Sequence, residues 1–251
     1  MGKGFASAAQ QTASAAMRQP INATREALRP LFFQRCFYLF VTLLALIALA
    51  PFIEPERGGI LVRNVINTFI ILSAVAAVGR SLLSFLIVLL LAAPALALRW
   101  LWLESGSGEL FGMALWFDAA VYATTIALLI RYVFDREVLT SDRLWGAAAT
   151  YLMLGVLWSF VYAILDRAGT ASFSIRGTPA SMDLTDLLYF SFSTLTTTGF
   201  GDIVPLTRIA RSAAIVESII GQLFLAILIA RLVGVYPRPE PVTIQAAGKA
   251  M

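Results

Sequence analysis

The sequence predicts an all-α integral membrane protein with six transmembrane helices and one shorter, re-entrant helix before the sixth. The first observation behind this is composition: the 251 residues are 59% hydrophobic and 14% charged, whereas soluble domains are about 45–50% apolar and about 25% charged. The second is that the apolar residues fall into six separate runs, each close to the roughly 20 residues that cross a membrane. The mean hydropathy of +0.81 agrees with both.

The rare residue types exclude several classes of protein. Histidine is absent and Cys36 is the single cysteine, so the chain has neither an intrachain disulfide nor a multi-cysteine metal site. Without histidine the usual general base is missing, which excludes Ser-His-Asp hydrolases. The net charge of +4 comes without a basic patch of interleaved aromatics, so no nucleic-acid partner is expected. We therefore expect neither an enzyme nor a bound cofactor.

The two ends of the chain differ from the rest in composition. Residues 1–35 are rich in alanine, serine and glutamine, and we interpret them as a cytoplasmic, partly helical tail, with a transit peptide as the weaker alternative. Residues 236–251 are expected to be a short cytoplasmic tail with no room for a regulatory nucleotide-binding domain.

The six apolar runs are separated by short charged or glycine-containing breaks. The first four are assigned to a four-helix bundle over residues 36–134, followed by a cytoplasmic linker, 135–143. The last two belong to a domain of residues 144–235 that also holds a half-length run, Leu184–Leu195, too short to span. The predicted spans are Cys36–Ile53, Ile60–Val78, Ser81–Leu103, Leu110–Phe134, Leu144–Leu165 and Ile209–Gly234.

The distribution of lysine and arginine predicts the orientation. With both termini in the cytoplasm, twelve of the nineteen basic residues fall on the cytoplasmic side and seven, including Arg63 and Arg99, on the other. Because positive charge accumulates in cytoplasmic loops, we expect cytoplasmic termini and a place in the inner membrane of a cell.

The half-length run leads into the most informative motif of the chain, Thr194-Leu-Thr-Thr-Thr-Gly-Phe-Gly-Asp202. A Thr-x-Gly-aromatic-Gly-Asp pattern arises by chance at about one start in a million at average composition. The motif resembles the selectivity-filter signature of potassium channels, in which it follows a short pore helix. The resemblance covers the region between the last two spans and implies a homotetramer, in which each chain supplies one quarter of the filter.

In that family, consecutive backbone carbonyls replace the water around a dehydrated K⁺. Carbonyls that all face one axis require unusual backbone angles, which glycine reaches at little steric cost. Asp202 would concentrate cations at the outer mouth. The resemblance implies a filter of Thr197, Thr198, Gly199, Phe200 and Gly201, with K⁺ bound at the first four.

Leu184–Leu195 fits the pore helix that should precede such a filter. Asp183 is predicted as its N-cap, and the negative C-terminal end of the helix would favour a cation in the pore cavity. Tyr189 and Phe190 occupy the place of the aromatic residues that brace the filter in potassium channels. Simple core packing is the alternative for this pair.

The last span is the expected pore-lining inner helix. Gly221 follows Gly201 by twenty residues, which is the position of the gating-hinge glycine in many potassium channels. Close packing against another helix is an equal alternative for a glycine within a membrane. Gln222 and Leu225 are candidates for the wall of the cavity.

Glu217 lies one turn before Gly221, and an ionisable residue inside a spanning helix is costly enough to suggest a function. It could support the filter from behind, near Ser193 or Thr194. The alternative is an ion pair with Arg208 or Arg211.

Two features depart from the pattern of voltage-gated potassium channels. Thr198 stands where valine or isoleucine is usual, which leaves weak selectivity among monovalent cations as an alternative. The fourth run has no arginine before Arg131, so it lacks the charges that make gating steeply voltage-dependent. The same run holds Asp118, for which an ion pair with Arg63 and an unpaired position near the membrane surface are both open.

The sequence thus predicts a potassium-selective ion channel without a charged voltage-sensor helix. Its expected partners are K⁺, the lipid bilayer and further copies of the same chain. A polytopic transporter and a non-conducting accessory subunit are the remaining alternatives.

Overall fold

A computed structural model describes residues 35–52, 57–79, 81–135, 140–169 and 172–235. Residues 1–34 and 236–251 of the two tails, and residues 136–139 of the 135–143 linker, lie outside the described residues. The helices are α1 (Arg35–Leu49), α2 (Arg57–Val78), α3 (Leu82–Ser105), α4 (Gly108–Val133), α5 (Ser141–Ala168), α6 (Leu184–Leu195) and α7 (Arg208–Val235), and a short 3₁₀ turn (Ala50–Phe52) extends α1. The strands are β1 (Phe173–Ile175), β2 (Thr178–Ala180) and β3 (Ile203–Pro205).

Six of these helices, all except α6, are long and apolar enough to cross a membrane. The predicted all-α membrane fold is therefore confirmed, and the chain is a multi-pass membrane protein. The bounds of α6 coincide with the predicted half-length run. α5 begins earlier and ends later than its predicted span because Ser141 and Asp142 form its first turn and Arg167 lies in its last.

Short polar turns lie at the two ends of α3. The Ser81 hydroxyl accepts a hydrogen bond from the Ser84 N–H (3.1 Å) at the start of α3, as an N-cap does. α3 ends at Gly106, whose φ of 66° is the left-handed conformation typical of a helix C-cap. Ser107 then caps α4 through the Leu110 N–H (3.4 Å). Adjacent helices consequently run antiparallel, with α3 packed along α4 and α4 packed along α5.

The bundle contains a buried ion pair whose members differ from those expected. The Arg99 Nε of α3 lies 2.6 Å from the Asp118 Oδ2 of α4, and both side chains are buried. The suggested pair between Asp118 and Arg63 is wrong, and so is an unpaired Asp118 at the surface. The reason is that α3 lies alongside α4, whereas the Nε of Arg63 has no hydrogen-bond partner.

The same positions bear on the count of basic residues that predicted the orientation. Arg63 and Arg99 lie within α2 and α3 and not in loops. Several of the twelve, among them Arg131 and Arg143, also lie within helices, and the orientation stays a prediction.

A small antiparallel sheet, in the order β2-β1-β3, was not predicted. β1 and β2 form a hairpin through Arg176 and Gly177, both with positive φ (49° and 83°), as in a two-residue type I′ turn. β3 follows Asp202 and pairs with β1, so that Ile175 lies opposite Ile203. The sheet therefore ties the segment after the candidate filter to the segment after α5. We call this end of the helices the Asp202 end.

Candidate ion-conduction site

The candidate site begins with α6, which has 12 residues and is about 18 Å long at 1.5 Å per residue. The Asp183 carboxylate accepts hydrogen bonds from the N–H groups of Thr185 (2.7 Å) and Asp186 (2.8 Å), so the predicted N-cap is confirmed. Partial burial and the neighbouring Asp183 raise the pKa of Asp186. The other end of α6 leads directly into the candidate filter.

The backbone of the candidate filter alternates in handedness. Thr197, Gly199 and Gly201 have positive φ angles of 57°, 59° and 79°, and the residues between them do not. Alternation of this kind directs successive N–H groups to one side of the chain, and so directs successive carbonyls to the other. A positive φ is sterically unfavourable for Thr197, which has a Cβ, whereas the two glycines adopt it at little cost.

Backbone N–H groups of the candidate filter donate hydrogen bonds to backbone carbonyls in the last turn of α6. The Thr197 N–H donates to the Thr194 carbonyl (2.9 Å), and the N–H groups of Thr198 and Gly199 both donate to the Ser193 carbonyl (2.9 and 3.1 Å). Within the part of the chain that the structure describes, no donor bonds to the carbonyls of Thr197, Thr198, Gly199 or Phe200. A row of carbonyl oxygens without a partner is the chemistry that a dehydrated cation needs.

Ser193 is a site residue whose role in the filter sequence reasoning missed. Besides its carbonyl, its Oγ accepts a weak hydrogen bond from the Phe200 N–H (3.4 Å). Ser193 lies in the last turn of α6, four residues before Thr197. A small polar residue at that spacing is the signal that could have identified it.

The two predicted aromatic braces have different surroundings. Tyr189 stacks on Phe200 with ring centroids 5.9 Å apart and planes at 10°. Loss of water contact, and then the neighbouring Asp202 carboxylate, raise the pKa of Tyr189. Phe190 is buried and packs edge-on against Tyr162 (5.0 Å). Tyr189 therefore contacts the filter, whereas Phe190 belongs to the core.

Glu217 is fully buried behind α6 and reaches neither of its suggested sets of partners. Its Oε2 accepts a hydrogen bond from the Tyr162 hydroxyl of α5 (2.5 Å), and its Oε1 lies 2.5 Å from the Ser191 Oγ of α6. The contact to the Thr194 carbonyl is made instead by Ser218 (3.2 Å). Glu217 thus links α5, α6 and α7 one layer behind the filter.

The hydrogen count at Ser191 constrains the Glu217 carboxyl. The Ser191 Oγ lies 2.7 Å from the Gly155 carbonyl as well as 2.5 Å from Glu217. A hydroxyl has one hydrogen, and a carbonyl can only accept. Ser191 therefore either shares its hydrogen between the two acceptors, or donates to Gly155 and accepts a hydrogen bond from a protonated Glu217.

Gly221 allows α7 to approach the end of α6. A Cβ built on Gly221 would lie 2.3 Å from the Leu195 carbonyl oxygen. This favours the packing alternative over the hinge. Of the two candidates for the cavity wall, Gln222 donates from Nε2 to the Thr197 hydroxyl (2.9 Å), and Leu225 is exposed in the single chain.

Comparisons with known proteins agree with this region. A family model described as "Ion channel" matches residues 146–236, from α5 to the end of α7. Protein LctB of Bacillus caldotenax is 34% identical over 99 residues, which are 38% of this chain and 73% of that protein. Protein LctB of Geobacillus stearothermophilus is 34% identical over 100 residues, with the same shares. No solved structure matches.

Proposed function

Because the chain belongs to the ion channel family, we propose that it is a potassium-selective channel whose filter is the segment from Thr197 to Gly201. The observation that carries the proposal is the alternating backbone of this segment, with its N–H groups bonded to α6 and its carbonyls unpartnered. K⁺, the permeant ion and not a cofactor, would exchange its water for these oxygens at Thr197, Thr198, Gly199 and Phe200.

A single chain provides one wall of such a filter, so the proposal requires a ring of four copies. Two features of the single chain support this. Phe200 is 67% exposed and Ile209, at the start of α7, is 68% exposed. α7 also presents apolar side chains along most of its length, including Ile215, Ile219, Leu223, Ile227 and Ile229. In a tetramer these surfaces would contact neighbouring copies or lipid.

The match with the ion channel family model gives each part of the chain an expected role. Residues 144–235 would form the pore domain, with α5 outside, α6 as the pore helix and α7 lining the cavity with Gln222 and Leu225. Residues 36–134 would form a bundle beside it. If Asp202 lies at the outer mouth, then α7 ends and α1 begins on the cytoplasmic side, which agrees with the bias in basic residues.

Weak selectivity among monovalent cations is the competing function, because Thr198 replaces an apolar residue. The Thr198 Oγ1 lies 2.8 Å from the Thr196 Oγ1, so this hydroxyl has a local partner beside the filter. We favour selectivity for K⁺ on that ground.

Flux of K⁺ into liposomes that contain the purified full-length protein tests the proposal. We expect K⁺ uptake down an imposed gradient, and much slower uptake of Na⁺ under the same conditions. Equal uptake of both ions would favour the weakly selective channel. Absence of uptake of either ion would favour a non-conducting accessory subunit.

A further inference from the structure

The hydroxyl groups of the three consecutive threonines in the filter motif have different partners. The Oγ1 atoms of Thr196 and Thr198 lie 2.8 Å apart, and the Thr196 hydroxyl also donates to the Phe192 carbonyl of α6 (2.7 Å). The Thr197 hydroxyl instead accepts a hydrogen bond from the Gln222 Nε2 of α7 (2.9 Å). The hydroxyl at the first residue of the candidate filter is therefore bound to the inner helix.

The hydrogen bonds of the Thr197 hydroxyl fix the orientation of the Gln222 amide. The hydroxyl donates its one hydrogen to the Thr196 carbonyl (2.7 Å), so toward Gln222 it can only accept. Gln222 must therefore present its NH₂ group and not its oxygen. A hydroxyl oxygen has two lone pairs and the amide uses one of them, so one lone pair of the Thr197 oxygen is left for an ion.

The same hydrogen bonds define where the row of unpartnered carbonyls begins. The Thr196 carbonyl accepts the Thr197 hydroxyl, whereas no donor among the described residues bonds to the Thr197 carbonyl. Counted from the end of α6, the first oxygens available to an ion are thus the hydroxyl and the carbonyl of Thr197. We call the position beside these two oxygens the innermost ion site.

Gln222 reaches Thr197 because α7 packs closely against the end of α6. One turn earlier on α7, the Ser218 hydroxyl donates to a carbonyl in the last turn of α6 (3.2 Å). Gly221 places no side chain between the α7 backbone and the Leu195 carbonyl. Residues three and four positions apart share one face of a helix, so these contacts fix the start of the Gln222 side chain relative to the filter.

We propose that Gln222 is a positioning residue for the innermost ion site and acts on it through the Thr197 hydroxyl. The inference rests on the proposed function, since it requires that K⁺ enters the filter. The amide would prevent the hydroxyl from turning, so that its remaining lone pair stays directed at the ion. A group that is already ordered binds without the cost of being ordered, so loss of the amide should weaken this site.

Inhibition of the K⁺ current by Ba²⁺ in a planar bilayer tests the proposal. Ba²⁺ is similar to K⁺ in size and has twice its charge, so it should bind the filter oxygens more strongly and obstruct the current. Gln222→Met removes the donor and nearly keeps the length of the side chain. We expect the half-inhibiting Ba²⁺ concentration to rise about three- to tenfold, as for one lost hydrogen bond, with the reversal potential in mixed K⁺ and Na⁺ unchanged. An unchanged half-inhibiting concentration would overturn the proposal.

Gln222→Asn separates the contact with Thr197 from the polarity of the cavity. It keeps an amide but is one methylene shorter, so its NH₂ group should no longer reach the Thr197 hydroxyl. We expect the same rise as in Gln222→Met. A half-inhibiting concentration equal to that of the wild type would mean that polarity alone matters, and would overturn the proposal.

A variant that does not conduct also has a defined meaning. If Gln222→Met carries no K⁺ current, then Gln222→Asn decides. Loss of current in both variants would overturn the proposal, because it leaves the remaining filter carbonyls intact. Leu90→Met is the control, since Leu90 is an exposed residue of α3, and it should change neither the inhibition nor the reversal potential.

The wild-type protein separates a failure of this inference from a failure of the proposed function. A wild type without K⁺ current would contradict the proposed function and this inference with it. A potassium-selective wild type with the same half-inhibiting Ba²⁺ concentration as both Gln222 variants would overturn this inference alone.

Discussion

Gly221 of α7 packs directly against the backbone carbonyl of Leu195 at the end of α6, so that a Cβ on Gly221 would lie 2.3 Å from that oxygen and 2.9 Å from the Leu195 Cδ1. The carbonyl belongs to the backbone and cannot turn away like a flexible side chain. The next residues of the chain are those of the candidate filter. The position of the filter and the packing of the inner helix are therefore coupled through this contact.

Gly221→Ala should destabilise the protein strongly. The added methyl group must push α7 away from α6, and overpacking of this kind costs about 1–3 kcal/mol or more. The midpoint of thermal unfolding measures the effect. Gly234→Ala is the matched control, because nothing lies within 4 Å of a Cβ at Gly234 of the same helix. A Gly221→Ala protein as stable as the wild type, with altered gating, would support the hinge instead.

Glu217→Gln and Glu217→Ala should behave differently. An amide has the shape of the neutral acid and can donate to Ser191 while it accepts from Tyr162, so Glu217→Gln should retain both stability and K⁺ flux. Glu217→Ala leaves the buried Tyr162 hydroxyl without its partner, at about 1–3 kcal/mol, whereas Ser191 keeps its contact with the Gly155 carbonyl. Flux and thermal unfolding of both variants give the comparison. A loss in Glu217→Gln as large as that in Glu217→Ala would mean that the carboxylate charge is required.

Asp186→Asn should stabilise the folded protein at neutral pH. Partial burial and the Asp183 carboxylate raise the pKa of Asp186 above its ordinary 3.8. The stabilising contribution of such a group is complete below the unfolded-state pKa and is lost as pH rises through the raised pKa. The midpoint of unfolding should therefore be higher in the variant at pH 7, and the difference should vanish near pH ~3.

Glu109→Gln is the control for this pH series, since Glu109 is an exposed acid in the first turn of α4. It should not reproduce the pattern of Asp186→Asn. A stabilisation by Asp186→Asn that is equal at pH 3 and pH 7 would argue against a raised pKa as its cause.

The open probability should not depend steeply on voltage. Each elementary charge that crosses the membrane contributes about 2.3 kcal/mol per 100 mV. α4 has one arginine, Arg131, in its last turn, and Arg99 is fixed in a buried pair with Asp118. Single-channel recording over a wide voltage range measures the gating charge. Several elementary charges per channel would contradict this account of the bundle.

The helices and the filter motif were predictable because their signals are local. Apolar runs of spanning length define the six long helices, and Asp183 with the short run after it defined α6 to the residue. The motif from Thr194 to Asp202 indicated which backbone carbonyls would face the permeant ion. None of these inferences required knowledge of which segments meet in space.

Most of the errors concern contacts between segments far apart in the chain. Arg63 and Arg99 were equally available as partners for Asp118, and only the packing of α3 along α4 selects Arg99. Ser191 and Tyr162 lie 26 and 55 residues from Glu217, beyond the reach of any local pattern. The strands β1–β3 have three residues each, too few for a periodic signal.

Substitution of a filter glycine tests the backbone geometry. At Gly201, with φ of 79°, an alanine would be strained by about 1–2 kcal/mol, although no atom lies within 4 Å of the new Cβ. Gly201→Ala should therefore abolish K⁺ current through distortion of the carbonyl row. Gly177→Ala imposes comparable strain in the β1–β2 turn (φ 83°) and should keep the current. Loss of current in both variants would mean that the effect is not specific to the filter.

The reversal potential of the purified channel in a planar bilayer tests the central claim most directly. With an about tenfold K⁺ gradient, balanced by Na⁺ so that total salt is equal on both sides, a potassium-selective pore should reverse close to 59 mV from zero, toward the K⁺ equilibrium potential. A reversal potential near zero would contradict the account, since it would mean that the row of carbonyls does not distinguish K⁺ from Na⁺.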